Sequence, residues 1–240
     1  ETKMSVSHSL ERLKDNLALS HRMPVVFLGH GTPMNAIHDT QYSRSWSELG
    51  RTLPRPQAIL VVSAHWATTG TTLVDVSAFP RTIHDFHGFP QTLFDQQYPA
   101  SGNPDLARDV VALLASHNAQ EDDTWGLDHG AWTVLSFLYL GSGNIVHNLS
   151  ALRPGQQPPD WAVEFDTQFA QNLSDRNFAA LTDTKGMGTL LKTAHPNVDH
   201  YIPALTIAGA SDNRDRLTFM NDSFDMSSIS MRSYIFQSDP

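Results

Sequence analysis

The 240-residue sequence contains no cysteine. Disulfide bonds, thiolate nucleophiles and cysteine-ligated zinc or iron–sulfur sites are therefore excluded. Basic residues are scarce as well: 16 lysines and arginines stand against 25 aspartates and glutamates, and the net charge of -9 argues against a nucleic-acid partner. No apolar run approaches the roughly 20 residues of a membrane-spanning helix, so we expect no membrane partner. The N-terminal residues lack the pattern of a secretory signal, and we expect a cytoplasmic protein.

The sequence has enough apolar residues for a folded core, at 40% of the chain. Segments typical of strands alternate with segments typical of helices. This alternation predicts an α/β fold with a mainly parallel or mixed central sheet flanked by helices. We expect a single catalytic domain over residues 23–240. An N-terminal extension over residues 1–22 would precede it, and Leu10, Leu13 and Leu17 have the spacing of a short helix there.

Histidine is in excess, with 12 residues, about twice what general usage predicts. Two of the histidines follow apolar runs: Val-Val-Phe-Leu (residues 25–28) leads to His30, and Ala-Ile-Leu-Val-Val (residues 58–62) leads to His65. Such runs predict buried strands, and parallel sheets place ligands beyond the carboxyl ends of their strands. Imidazole is a common ligand of zinc and iron. On the residues alone two interpretations stay open: a metal site at the strand ends, or two hydrogen-bonded structural histidines.

Four further histidines stand at the ends of predicted elements. His147 follows a β-branched pair and is a third strand-end histidine. His129 begins a helix directly after Asp128, whose carboxylate is expected to orient the imidazole. His200 follows an aspartate and precedes an apolar helix, whereas His195 precedes a proline and is expected in a loop.

An aromatic-rich, loop-like stretch covers residues 80–104, and loops of this length are often functional. Its His84 and His87 would contact a substrate or remain solvent-facing polar residues. Other catalytic signatures are missing: the sequence has no Gly-Lys-Ser phosphate loop, no Gly-x-Ser-x-Gly nucleophile elbow and no His-Glu-x-x-His zinc-protease motif.

Seven motifs are distributed along the chain: Phe-Leu-Gly-His-Gly-Thr-Pro-Met-Asn (27–35), Leu-Pro-Arg-Pro-Gln-Ala-Ile (53–59), Val-Ser-Ala-His-Trp (62–66), Ile-His-Asp-Phe-His-Gly-Phe-Pro (83–90), Trp-Gly-Leu-Asp-His-Gly (125–130), Gly-Asn-Ile-Val-His-Asn-Leu (143–149) and Asp-His-Tyr-Ile-Pro-Ala-Leu (199–205). Together they resemble the 4,5-DOPA extradiol dioxygenases, which belong to the class III extradiol ring-cleavage dioxygenases. Each motif alone is weak, but the set is specific and extends from about Met23 to Phe236.

The resemblance implies a non-haem metal enzyme that uses Fe(II) and O2 to open a catechol ring beside its two hydroxyl groups. Its metal ligands would be His30, His65 and His200. His147 would be a further ligand or an acid/base, and His129 the second catalytic histidine. L-DOPA would be cleaved between carbons 4 and 5, giving a product that can cyclise to betalamic acid. Three protein ligands would leave positions at the ion for the catechol oxygens and O2.

Two alternative functions remain at this stage. Zn(II) is a second candidate metal, and because zinc activates water without redox chemistry, the same site would suit a zinc-dependent hydrolase. The other alternative is an inactive, dioxygenase-like binding protein, against which the five site histidines argue. The physiological catechol and the oligomeric state stay open.

One departure from the family pattern concerns the connection between Leu140 and Gly141. Family members carry a further strand and helix there, which this sequence lacks. A parallel crossover needs a dozen or more residues. His147 follows this connection. Among the candidate site residues, its expected position therefore depends most on how the chain makes the connection.

Overall fold

The computed structural model describes residues 22–136 and 141–238. The helix predicted around Leu10, Leu13 and Leu17 lies outside the described residues, and so does Leu140 at the shortened connection. The chain divides into two compact units, one containing residues 66–129 and the other residues 22–65 and 130–238. The predicted boundary near residue 22 stays a prediction.

Eight helices and eight strands occur in the described part of the chain. The helices are α1 (Gln41–Thr52), α2 (Gln91–Phe94), α3 (Pro104–Leu113), α4 (His129–Leu135), α5 (Asp160–Ser174), α6 (Phe178–Thr182), α7 (Gly188–Ala194) and α8 (Ile202–Gly209). The strands are β1 (Val25–Gly29), β2 (Thr72–Asp75), β3 (Ala119–Asp122), β4 (Gly141–Gly143), β5 (Arg216–Met220), β6 (Phe224–Asp225), β7 (Ile229–Ser230) and β8 (Ser233–Gln237). Among these helices, none has the length and apolar character needed to cross a membrane.

The unit of residues 22–65 and 130–238 contains a four-stranded sheet in the order β4-β1-β8-β5. Strand β1 pairs in parallel with β4 and antiparallel with β8, and β8 pairs antiparallel with β5. The predicted α/β fold with a mixed sheet flanked by helices is therefore confirmed. The sheet brings the ends of β1 and β4 to the same edge, because parallel neighbours end on the same side.

The sheet is buried on both faces, which explains the continuous apolar run of β1. Phe27 packs in one hydrophobic cluster with helices α5, α7 and α8, whereas Val26 and Leu28 pack in a second cluster with Trp46 of α1. Successive side chains of a strand point to opposite faces, so both faces need apolar residues.

The strand predicted over residues 58–62 does not form. Only Ser63 makes a parallel bridge, to Ser142 of β4, supported by a hydrogen bond from the Ser142 N–H to the Val62 carbonyl (3.1 Å). Leu60, in the middle of the apolar run, is 57% exposed. Within the described residues, the run therefore has no paired strand over most of its length, and only its end adjoins the sheet.

The unit of residues 66–129 is built on a parallel pair, β2 with β3. Helix α3 lies between them in sequence, and its start is capped: the Asn103 side chain accepts the Leu106 N–H at 3.1 Å, and Pro104 is the first helical residue. Within the aromatic stretch, Thr82 bridges Leu127 in parallel. This bridge ties the stretch to the residues that lead into α4.

Candidate metal centre and acid–base histidines

Three histidines converge in the unit of residues 22–65 and 130–238. One nitrogen of each of His30, His65 and His200 lies within 4.8 Å of the others. The Nε2 atoms of His30 and His65 are 3.3 Å apart, and the His200 ring centroid lies 5.2 Å from that of His30 and 4.8 Å from that of His65. The structure thus brings together the three histidines that the sequence analysis named as ligands.

Backbone contacts at the end of β4 hold two of these histidines in place. The His30 N–H donates to the Gly143 carbonyl, and the Asn144 N–H donates to the His200 carbonyl, both at 3.1 Å. A Cβ at Gly143 would collide with the His200 carbonyl oxygen, so this approach requires glycine. Gly31, after His30, has a φ of +61°, in the left-handed region that favours glycine.

The arrangement fits a metal ion. Two nitrogens bound at about 2.1 Å to one ion lie about 3.0–3.4 Å apart when they subtend 90–110° at it. The 3.3 Å between the His30 and His65 Nε2 atoms falls in that range. Donor sets made of imidazole suit zinc, iron and other first-row metals.

Side-chain oxygens orient two of the three rings. The Nδ1 atom of His30 lies 2.7 Å from Ser142 Oγ, and Nδ1 of His200 lies 2.9 Å from Asp199 Oδ1. A neutral ring that donates from Nδ1 carries its lone pair on Nε2, the atom that would bind an ion, and such partners are usual behind ligating histidines. In the sequence, the aspartate before His200 stands out only by its position, and Ser142 lies in a Gly-Ser-Gly segment that carries no functional signal.

His147 is close to this group but is oriented differently. Its ring stacks on that of His200, with centroids 3.6 Å apart and planes 3° from parallel. A ring nitrogen directs its lone pair within the ring plane. The lone pairs of the His147 nitrogens thus lie in a plane parallel to that of the His200 ring and displaced from it. His147 also groups with Asp199 and His200, their ligand atoms lying within 4.8 Å of one another.

His129 lies in the unit of residues 66–129 and begins α4. Asp85 Oδ1 lies 2.9 Å from its Nδ1 and accepts its backbone N–H at 2.8 Å. Asp128, the partner expected from the sequence, accepts a hydrogen bond from the Trp125 indole at 3.2 Å. Asp85, which orients the His129 ring, was not predicted from the sequence, although it lies between His84 and His87 of the aromatic-rich stretch.

The remaining histidines of interest have other roles. His84 places Nε2 2.9 Å from the Gln96 carbonyl oxygen, whereas His87 is exposed. His195 follows α7 outside regular structure, as predicted, but its side chain is buried and donates from Nε2 to the Ile145 carbonyl at 2.7 Å. Burial lowers the pKa of His195 from 6.5 to about 4, so the ring is neutral at physiological pH.

The chain matches a known protein family along most of its length. Residues 15–140 and 137–237 match the family described as the catalytic LigB subunit of aromatic ring-opening dioxygenase. The chain is 38% identical to a protein of Escherichia coli (strain K12) named 4,5-DOPA dioxygenase extradiol, over 92% of this chain and 97% of that protein. It is 30% identical to a Beta vulgaris protein of the same name, over 88% of this chain and 96% of that protein.

A solved structure is also similar. The crystal structure of an uncharacterized protein from Escherichia coli K12 superposes with a TM-score of 0.73 at 33% sequence identity, covering 90% of this chain and all of that one. The similarity therefore extends to the three-dimensional fold.

Proposed function

We propose that this protein, which belongs to the family of the catalytic LigB subunit of aromatic ring-opening dioxygenases, opens a catechol ring with O2 at a metal ion held by His30, His65 and His200. The observation that carries the proposal is the convergence of three imidazoles in a chain of this family. Relatives at 38% and 30% identity are named 4,5-DOPA dioxygenase extradiol, and L-DOPA is accordingly the substrate we propose, with cleavage between carbons 4 and 5.

Fe(II) is the metal we propose. When bound, it would supply the electron-transfer chemistry that lets O2 react with a catechol, which Zn(II) lacks. The ligand nitrogens would be the Nε2 atoms of His30 and His200, whose Nδ1 atoms face Ser142 and Asp199, together with His65. These side-chain oxygens would hold the rings at the angle the ion needs.

We assign His147 the role of an acid/base rather than a fourth ligand. The stack holds the His147 ring parallel to the His200 ring and displaced from it, so the nitrogen lone pairs of the two rings lie in separate parallel planes. A histidine beside the ion can accept a hydroxyl proton from the catechol and return it later. His129, whose ring is held by Asp85, is the second acid/base.

Proton balance supports the use of neutral histidines. Extradiol cleavage adds both atoms of O2 to the catechol, so a substrate of formula C9H11NO4 becomes a product C9H11NO6 without a net loss of hydrogen. Protons that leave the two hydroxyl groups must therefore be redistributed within the site. Histidine is suited to accept and donate a proton near neutral pH.

The test loads the purified protein with Fe(II) without oxygen and then adds L-DOPA and air. We expect O2 consumption and a yellow ring-opened product, measured with an oxygen electrode and by absorbance. Zn(II)-loaded protein is the matched control and should consume no O2. Hydrolytic activity of the zinc form, with no O2 uptake by the iron form for any catechol, would favour the hydrolase alternative instead. The cytoplasmic location stays a prediction from the sequence.

A further inference from the structure

We propose that Asp85 is a positioning residue that sets the orientation and the tautomer of His129. The inference rests on the proposed function, in which His129 exchanges a proton with the substrate. Asp85 acts through His129. One carboxylate oxygen, Oδ1, lies 2.9 Å from the ring Nδ1 and 2.8 Å from the backbone nitrogen of the same residue.

The two contacts together fix the ring. The backbone N–H anchors the carboxylate beside the start of α4, and the second contact then fixes the rotation of the imidazole against the same oxygen. An ionised carboxylate only accepts hydrogen bonds, so Nδ1 must carry the proton that it donates. The lone pair of the neutral ring is then on Nε2. The opposite tautomer would place a lone pair against the carboxylate.

The surroundings of Asp85 keep it in position. The His129 side chain is 9% exposed and that of Asp85 is 21% exposed, so their hydrogen bond is partly shielded from water. Phe86, the next residue, contacts the His129 ring edge-to-face at 5.5 Å between centroids. Phe86 also packs against Phe89 and Phe94, at 5.4 and 5.0 Å. The segment that carries Asp85 is thus anchored by aromatic contacts.

A purely structural role must be distinguished from positioning. The first N–H groups of a helix lack intrahelical partners, and Asp85 satisfies one of them at His129. A residue that only caps the helix would affect stability. A residue that orients the base would also change the tautomer of its ring and the rate of turnover.

The variant Asp85→Ala removes the one oxygen that accepts both N–H groups, and its readouts separate the two roles. We expect kcat to fall by about 10²–10⁴, as for removal of a general acid or base, with KM and bound iron within about 3-fold of wild type. The control is Asp122→Ala. The Asp122 carboxylate accepts the N–H groups of Thr124 and Trp125 in the same unit and should leave kcat within about 3-fold of wild type.

A double variant gives the second readout. In the His129→Ala background, Asp85→Ala should lower kcat by no more than about 3-fold, because the residue through which Asp85 acts is gone. An equally large fall in kcat in the wild-type and the His129→Ala backgrounds would overturn the inference. That result is expected of a residue that only caps the helix and does not act through the imidazole. An unchanged kcat in the single variant would overturn it as well.

The third readout does not depend on activity. Long-range ¹H–¹⁵N spectra of histidine-labelled, metal-free protein at pH 8 report which ring nitrogen carries the proton, and the His129→Ala spectrum assigns the signal. We expect the Nδ1–H form in the wild type and a shift toward Nε2–H in Asp85→Ala, which has no acceptor for Nδ1–H. Asp85→Leu serves if the alanine variant does not fold, with the same expected shift. A tautomer that stays unchanged refutes the inference, whereas an iron-loaded wild type that consumes no O2 refutes only the proposed function.

Discussion

Two buried histidines five residues apart show what distinguishes a candidate ligand from a structural side chain. His195 is 2% exposed and His200 is 3% exposed, and both belong to the same unit. His200 places Nδ1 against the Asp199 carboxylate and its ring beside His30 and His65. His195 donates Nε2 to the Ile145 backbone carbonyl, and within the described residues its Nδ1 has no hydrogen-bond partner.

The difference lies in the partners and not in burial. A carboxylate at Nδ1 makes Nε2 a better donor to a metal, whereas a carbonyl at Nε2 occupies the nitrogen that most often binds ions. His195 also lies between aromatic rings, with Phe165 and Tyr201 at 5.5 and 5.1 Å. The burial of a histidine is therefore a weak guide to its function until its hydrogen-bond partners are known.

The largest expected effect is the loss of the metal. His30→Ala removes one of three converging nitrogens, and we expect bound metal to fall to background and turnover with it. Metal per chain, measured by mass spectrometry after desalting, checks this. His195→Gln and His38→Ala should both keep one metal per chain. Loss of metal in His195→Gln would show that His195 is not a purely structural histidine, in contrast to the candidate ligand His200.

A smaller effect is expected where a histidine acts on protons and not on the ion. His129→Ala should keep the metal but lower kcat by about 10²–10⁴, the usual contribution of an acid or base. Steady-state O2 uptake at saturating L-DOPA, together with the metal content, measures both quantities. His117→Ala, at an exposed histidine of the same unit, is the control. A wild-type kcat in His129→Ala would exclude this residue from the mechanism.

The contribution of the Asp199 carboxylate, which faces Nδ1 of His200, can be tested by substitution. Asp199→Asn removes the charge behind Nδ1, and we expect metal affinity to weaken by about 10–100-fold while the three ligands remain. Competition with a chromophoric chelator measures the dissociation constant. Asp183→Asn is the control, since the exposed Asp183 accepts a backbone N–H from Gly186. Equal affinities of Asp199→Asn and wild type would show that the carboxylate does not tune the site.

Local signals in the sequence predicted several elements closely. Strand β1 and helices α4 and α8 lie where the apolar run at residues 25–28 and the positions of His129 and His200 predict them, because apolar patterning is a local signal. Strands β3 and β5 were not predicted. Residues 119–122 are largely polar, and a strand of that kind is specified by its pairing partner, which lies far away in sequence.

The candidate site shows the same limit. The sequence indicated His30 and His65 because apolar runs end at them, and the resemblance supplied the roles of the others. Their orienting partners were missed: Ser142 is 112 residues from His30, and Asp85 is 44 residues from His129. Neither spacing follows a period, so only the folded chain reveals these pairs.

The smallest expected effect concerns His195 and pH. Its pKa is lowered by burial from 6.5 to about 4, so between these values the unfolded chain takes up a proton that the folded chain does not. The stability that this residue contributes is present above pH 6.5 and is lost as the pH falls toward 4. Between pH 7.5 and 5.5 the loss should be about 1.3 kcal/mol.

Urea unfolding of metal-free wild type and His195→Gln at the two pH values measures that contribution. Glutamine keeps an N–H donor for the Ile145 carbonyl but does not titrate, so its free energy of unfolding should fall by about 1.3 kcal/mol less than that of the wild type over this range. The difference between the two proteins cancels the other titrating groups. An identical pH dependence of the two proteins would mean that burial does not lower the pKa of His195.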